Sequence, residues 1–137
     1  MGCSCIQQVP KAYKRSQFRA SKGPATVLFV DYTPAQVAEL IANGDIQLID
    51  VRQQHEHDAG HIAGSRLIEL ADLPAQAPTL DSNLPVIFYC RSGGRSAMAT
   101  DALAQAGYDA HNMAGGMLEW HSAELPMEPA DGFVAEP

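Results

Sequence analysis

A chain of 137 residues, 46% of them hydrophobic, can close one core and form one ordinary domain. It contains no run of the ~20 consecutive apolar residues that a bilayer span requires, and its net charge of −7 argues against the extended basic face that nucleic acid binding wants. Three cysteines, Cys3, Cys5 and Cys90, are an odd number and a poor disulfide framework, so the expected setting is reducing and cytoplasmic, with a free thiol at position 90.

Charge is divided unevenly along the chain. Residues 1–30 carry Lys11, Lys14, Arg15, Arg19 and Lys22 and no acid, whereas the remainder sets Arg52, Arg66, Arg91 and Arg95 against all sixteen Asp and Glu. The first 25 residues lack a strong hydrophobic period and close on Ser21-Lys22-Gly23-Pro24, a linker-like stop. They are expected to be a basic flexible leader, whether a tag, a tail or a transit-like segment that would direct the chain to an organelle. Met1-Gly2-Cys3 hints at acylation, but Ile6 stands where the myristoylation pattern wants Ser or Thr. The folded domain is expected over residues 26–126, with a tail at 127–137.

Val27–Val30, β-branched and aromatic, suits a first strand. Thr33-Pro34-Ala35-Gln36 then starts a helix: Thr33 can cap it, Pro34 suits its first position, and Gln36 completes a capping box. Val37, Leu40 and Ile41 form its core-facing stripe, and Asn43-Gly44 ends it. Ile46–Val51 reads as a buried strand that runs out into the charged segment 52–58. Gly60-His61-Ile62-Ala63-Gly64-Ser65 is a turn before a short strand at Leu67-Ile68, and residues 70–84, with Pro74 and Pro78, are irregular or briefly helical. Val86–Tyr89, wholly apolar and bounded by Pro85 and a glycine loop, is the best central strand. A helix from about Ser96 to Ala106 is closed by Gly107, a weak strand spans Asp109–Met113, Gly115-Gly116 turns, and a last helix begins at Met117 and reaches His121. Alternating strands and helices predict an α/β domain of three layers, α/β/α, around a mostly parallel sheet of about five strands.

The chemistry concentrates in Cys90-Arg91-Ser92-Gly93-Gly94-Arg95. A strand that ends in a glycine-containing loop and enters a helix aims free backbone N–H groups and the positive helix end at the loop. A cysteine there ionises easily, and two arginines favour the nucleophilic thiolate further. Open α/β sheets bind ligands at the carboxyl ends of their strands, which is where Cys90 stands. The loop reads as nucleophilic sulfur acting on an anionic substrate.

Four separated motifs together resemble the single-domain rhodanese-like sulfurtransferases. Asp50-Val51-Arg52, Glu56-His57 and Gly60–Ser65 are similar to that family's first signature, Cys90–Arg95 to its active-site loop, and Met113-Ala114-Gly115-Gly116-Met117-Leu118-Glu119-Trp120 to its closing signature. The match covers roughly residues 27–126, in order and spacing. The resemblance implies a ping-pong transfer of sulfane sulfur from thiosulfate or a related donor, through a Cys90 persulfide, to cyanide or a thiol, including a protein thiol. No cofactor and no metal are expected, nor a nucleic acid partner or a membrane span, and the expected state is a monomer or weak dimer.

Catalysis is thus assigned to Cys90 and substrate binding to Arg91, Ser92, Gly93, Gly94, Arg95 and Ser96. Arg95 is the preferred anion contact because it sits where the loop enters the helix, and helix capping is the preferred job of Ser96. Asp50, Arg52, Glu56 and His61 are structural residues near the site, the first three as an ion-pair network, since an ionised thiol needs no general base. His55, His57 and His61 lack a fourth ligand for a metal. Two other readings stay open. A phosphatase or arsenate reductase on this fold needs five residues between cysteine and arginine, and Cys90 to Arg95 leaves four. A non-catalytic binding or regulatory module is the alternative of a different class, although such modules often lose the cysteine that is present here.

Overall fold

The computed structural model describes residues 31–137; the leader, Cys3, Cys5 and the strand expected at Val27–Val30 lie outside them. Within them four strands, β1 (Gln47–Asp50), β2 (Arg66–Leu67), β3 (Val86–Tyr89) and β4 (Ala110–Asn112), pair in the order β2-β1-β3-β4, every pairing parallel. Tyr32 adds a parallel bridge to Met113, one residue beyond β4. The helices are α1 (Pro34–Asn43), α2 (Gln54–Ala59), α3 (Leu73–Gln76, between 3-10 turns at Leu70–Asp72 and Ala77–Thr79), α4 (Gly94–Gln105) and α5 (Gly116–Ser122). No helix among the described residues is long and apolar enough to cross a membrane.

The α/β/α layering follows from alternation on the strands. Successive strand side chains point to opposite faces, so Val86, Phe88 and Cys90 join Ile49, Leu103 and Ala99 in the core beneath α4. Ile87 and Tyr89 join Val37, Met117 and Trp120 in the core beneath α1 and α5. All four residues of β3 are buried, the mark of a central strand covered on both faces. Helix α1 has the expected capping box, with the Gln36 N–H donating to Thr33 Oγ1 and the Thr33 N–H to Gln36 Oε1. Trp120 is buried and donates its indole N–H to the Pro126 carbonyl.

Two features depart from the sequence expectation. The charged segment after β1 forms a helix, α2, although Gln-His-Glu-His-Asp-Ala offers no apolar stripe; the Glu56 carboxylate accepts the Gln53 N–H and starts it. Residues 127–137, expected as a tail, return across the end of α2 as a strap. His61 and Glu128 exchange backbone hydrogen bonds at 2.9 and 2.8 Å, and the Phe133 N–H donates to the Ala59 carbonyl. Gly60 is needed here for space: a Cβ on it would lie 2.5 Å from Met127 Cε and 2.8 Å from the Phe133 carbonyl oxygen.

Below the carboxyl end of the sheet, Asp50 and Arg52 form a fully buried pair. Arg52 donates from Nε and Nη2 to Asp50 at 2.9 and 2.8 Å, and Nη2 also donates to the Gly60 carbonyl. Its guanidinium carbon sits 5.6 Å from the Tyr89 ring centre, and His57 Nδ1 donates to Asp50 Oδ2 at 2.8 Å. Burial pushes the Asp50 carboxyl up, but hydrogen bonds from His57 and Arg52 outweigh it and hold the group below its ordinary value. A carboxyl with a lowered folded pKa stabilises the fold above its unfolded pKa, and this is lost as pH falls through the folded value. Glu56 is shifted the same way, with burial opposed by Arg95 and the Gln53 N–H. Stability of the wild type is therefore expected to decline as pH drops below about 4. Asp50→Asn should lose about 3–5 kcal/mol at pH 7, because Arg52 is left buried and uncompensated, and should show a shallower acid slope. Urea unfolding followed across pH measures both.

Candidate active site

Cys90 follows β3, and the alternation that buries Val86 and Phe88 beneath α4 also aims its side chain at the first turn of that helix. The chain turns from strand to helix in four residues because Gly93, at φ 111°, takes a left-handed conformation that other residues rarely hold, and serves as the N-cap of α4. Three donors converge on Cys90 Sγ: the Gly93 N–H at 3.1 Å, the Ser96 N–H at 3.4 Å and the Ser96 hydroxyl at 3.4 Å. The sulfur sits at the floor of the loop, and Cys90 retains 1% of its surface exposed. Burial pushes the thiol up, yet hydrogen bonds from the Ser96 hydroxyl and N–H and from the Gly93 and Ser92 N–H groups bring it, on balance, below its ordinary value.

Ser96 corrects the sequence expectation. Helix α4 begins at Gly94, two residues earlier than its apolar stripe indicates, so Ser96 lies inside the first turn and does not cap it. Its buried hydroxyl points at Cys90. Ser92 and Gly94 are exposed on the loop's outer side, and an added Cβ at Gly94 would meet open space.

The two arginines of the loop part company. Arg95 closes a bidentate pair with buried Glu56, Nη1 to Oε2 and Nη2 to Oε1 both at 2.9 Å, so its planar fork is engaged on α2. Arg91 turns toward the strap and meets Glu136 Oε2 at 3.3 Å, an exposed contact in which the Glu136 side chain keeps 83% of its surface open. Asp50 with Arg52 and Glu56 with Arg95 are two separate pairs packed side by side. His61 stacks on His57 with ring centres 3.9 Å apart and donates from Nδ1 to the His57 carbonyl. The three histidines thus face different partners, because His55 Nε2 donates to the Glu136 carbonyl.

The start of α5 holds the loop from the other side. The Met117 and Leu118 N–H groups donate to the Cys90 and Arg91 carbonyls at 2.9 and 3.0 Å. Gly116, at φ 57°, lets the two backbones touch: a Cβ there would stand 2.5 Å from the Cys90 carbonyl oxygen and 2.6 Å from that of Arg91. Reading Gly115-Gly116 as a turn missed this support, because the loop that Gly116 touches lies on a distant element.

A thiol lowered from its ordinary value by amides and a hydroxyl, with Arg91 next to it in the chain, can ionise and attack a soft electrophilic atom on an anionic molecule. The rhodanese-like domain family matches this chain over residues 33–123. A thiosulfate sulfurtransferase, GlpE, of Pseudomonas aeruginosa is 35% identical over 108 residues, covering 76% of this chain and 94% of that protein. An HTH-type transcriptional regulator of Mycobacterium tuberculosis is 35% identical over 99 residues, but this chain spans only 43% of its length. The crystal structure of a rhodanese-related protein from Thermoplasma volcanium superposes with a TM-score of 0.68 at 27% identity, covering 72% of this chain and 97% of that one. With the family model spanning the elements that build the cysteine loop, the chain belongs to the family of rhodanese-like sulfurtransferase domains.

Proposed function

We propose that the chain transfers sulfane sulfur from thiosulfate, or a donor of like charge, to cyanide or a thiol through a persulfide on Cys90. The observation that carries this reading is the placement of Cys90 Sγ against three donors at the start of α4, with the thiol lowered from its ordinary value. The thiolate attacks the outer sulfur of thiosulfate. A new S–S bond forms at Cys90, and the old one breaks with its electron pair, which leaves on sulfite. The acceptor then attacks the outer sulfur of the persulfide and returns Cys90 as thiolate.

The loop suits both half-reactions. Its amides stabilise negative charge on sulfur, whether that is the thiolate or the terminal atom of the persulfide. The lowered thiol loses its proton more readily than an ordinary cysteine, and Glu56 and Asp50 are each engaged by an arginine, so neither is assigned as a base. Arg91 is the anion contact of choice for the departing sulfite, because Arg95 is held by Glu56 on two hydrogen bonds while Arg91 faces only an exposed carboxylate. That engagement also weighs against a phosphatase, which would need the helix-entering arginine turned onto its substrate.

Mass spectrometry after thiosulfate is expected to find the wild type heavier by one sulfur atom, localised to Cys90, and Cys90→Ser unchanged. A wild type that acquires no sulfur would leave only the binding or regulatory module. Arg91→Gln should raise KM for thiosulfate about tenfold, the worth of one charge-assisted contact. Alkylation of Cys90 by iodoacetamide, followed against pH, should titrate below the ordinary cysteine value of about 8.5. Ser96→Ala should move that midpoint upward and slow the reaction at pH 7 about two- to tenfold.

A further inference from the structure

We propose that Glu136 is an internal anion that competes with the donor for Arg91, and so sets how well the site accepts charged substrates. This rests on reading Arg91 as the anion contact of the proposed transfer. Three observations support it. First, the strap places Glu136 by fixed backbone contacts and not by its carboxylate alone. The chain is pinned where His61 and Glu128 pair and where the Phe133 N–H meets the Ala59 carbonyl, and again where His55 Nε2 donates to the Glu136 carbonyl at 2.8 Å. Gly60 and Gly132 permit the close approach, since a Cβ on Gly132 would lie 2.8 Å from the Ala59 carbonyl oxygen.

Second, Arg91 is the loop cation left for a ligand, Arg95 being held by Glu56, and Glu136 approaches it through Nη2 at 3.3 Å. Arg91 Nε is buried and has no hydrogen-bond partner among the described residues, so the guanidinium retains donor capacity that the single Glu136 contact does not fill. A substrate oxyanion with several oxygens can fill more of it than a carboxylate held at one distance. Third, the contact is poised for exchange: the Glu136 side chain is 83% exposed, and exposed pairs are weak and screened by salt. An anionic donor displaces it readily, whereas an uncharged molecule gains nothing from doing so.

The test compares two alkylating agents that differ by one negative charge, iodoacetate and iodoacetamide. In each, the Cys90 thiolate forms an S–C bond and iodide leaves with the electron pair of the broken C–I bond. The ratio of the two rate constants cancels changes in thiol ionisation and general access, and it needs no sulfur transfer. Glu136→Gln should raise the iodoacetate-to-iodoacetamide ratio about two- to fivefold at low salt, the range of an exposed ion pair. Glu136→Lys should raise it further, and the gain should shrink as salt is added. Competition for Arg91 also requires coupling, so in an Arg91→Gln background the effect of Glu136→Gln should fall to less than half. An unchanged ratio in Glu136→Gln overturns the proposal, as does an equal rise in both backgrounds, which would mean only a distant charge. A protein that passes this test but forms no persulfide keeps the Arg91–Glu136 competition and loses the sulfurtransferase reading, so the two fail separately.

Discussion

The three hydrogen bonds on Cys90 Sγ hold together what the rest of the molecule arranges. The sulfur of a residue with 1% of its surface exposed is disfavoured as an anion by desolvation, and without donors it would be an inert core thiol. The Gly93 N–H, the Ser96 N–H and the Ser96 hydroxyl reverse that sign. They reach one point because a central strand delivers Cys90 to the α4 face, Gly93 makes the left-handed turn, and α4 starts at once with its first-turn N–H groups unspent. Gly116 and the N–H groups of Met117 and Leu118 then hold the loop's carbonyls on the far side. The Gly93 and Ser96 N–H groups and the Cys90 and Arg91 carbonyls are therefore held in place before a substrate arrives.

The carboxylates on the elements around Cys90 have a consequence for charge. Arg95 would otherwise be a free cation at the mouth of an acidic domain, and Glu56 engages it with two short hydrogen bonds while itself fully buried. The pair ties α2 to α4 across the loop. Asp50 and Arg52 do the same one layer deeper, joining the end of β1 to the Gly60 turn. Buried ion pairs of this kind contribute little net stability compared with apolar packing, and breaking one partner is costly. What they supply here is a fixed position for α2, a helix with no hydrophobic stripe of its own. The strap rests on its end, so the position of α2 also sets where Glu136 meets Arg91.

The sequence made legible what depends on local pattern. Strand β3 was clear because four apolar residues stand between a proline and a glycine loop, and α1 because Thr33, Pro34 and Gln36 carry its start chemistry. The cysteine loop was clear because cysteine, glycines and arginines share six residues. Features built by distant contacts were hidden. Helix α2 starts on the local Gln53–Glu56 contact but is held in place through Glu56 meeting Arg95, 39 positions away, and the strap is held through backbone bonds to His61 and Ala59 and through His55 meeting Glu136, 81 positions apart. Ser96 was assigned to capping because the apolar stripe of α4 begins at Ala99, whereas the backbone turns helical as soon as Gly93 allows it. Arg95 was ranked above Arg91 by its place in the loop; the carboxylate that engages it lies on another element, which no local window contains.

The loop's size gives the last step. In the proposed transfer, the outer sulfur of the persulfide stands about 2 Å beyond Sγ, on the open side of the donors that hold the thiolate. The ligand to be cradled is then a single atom on a short stalk, and it needs inward-facing N–H groups more than a wide bowl. A tetrahedral oxyanion held in the same loop would need room for several oxygens and an arginine free to meet them, and here Arg95 is committed to Glu56. The charged part of a sulfur donor, by contrast, never enters the floor of the site. It stays at the rim, where Arg91 stands exposed to exchange with Glu136. In that proposal, chemistry at a buried sulfur and recognition at a half-buried cation are separated by the length of the donor's own S–S bond, and a carboxylate on the strap would tune recognition without touching the sulfur.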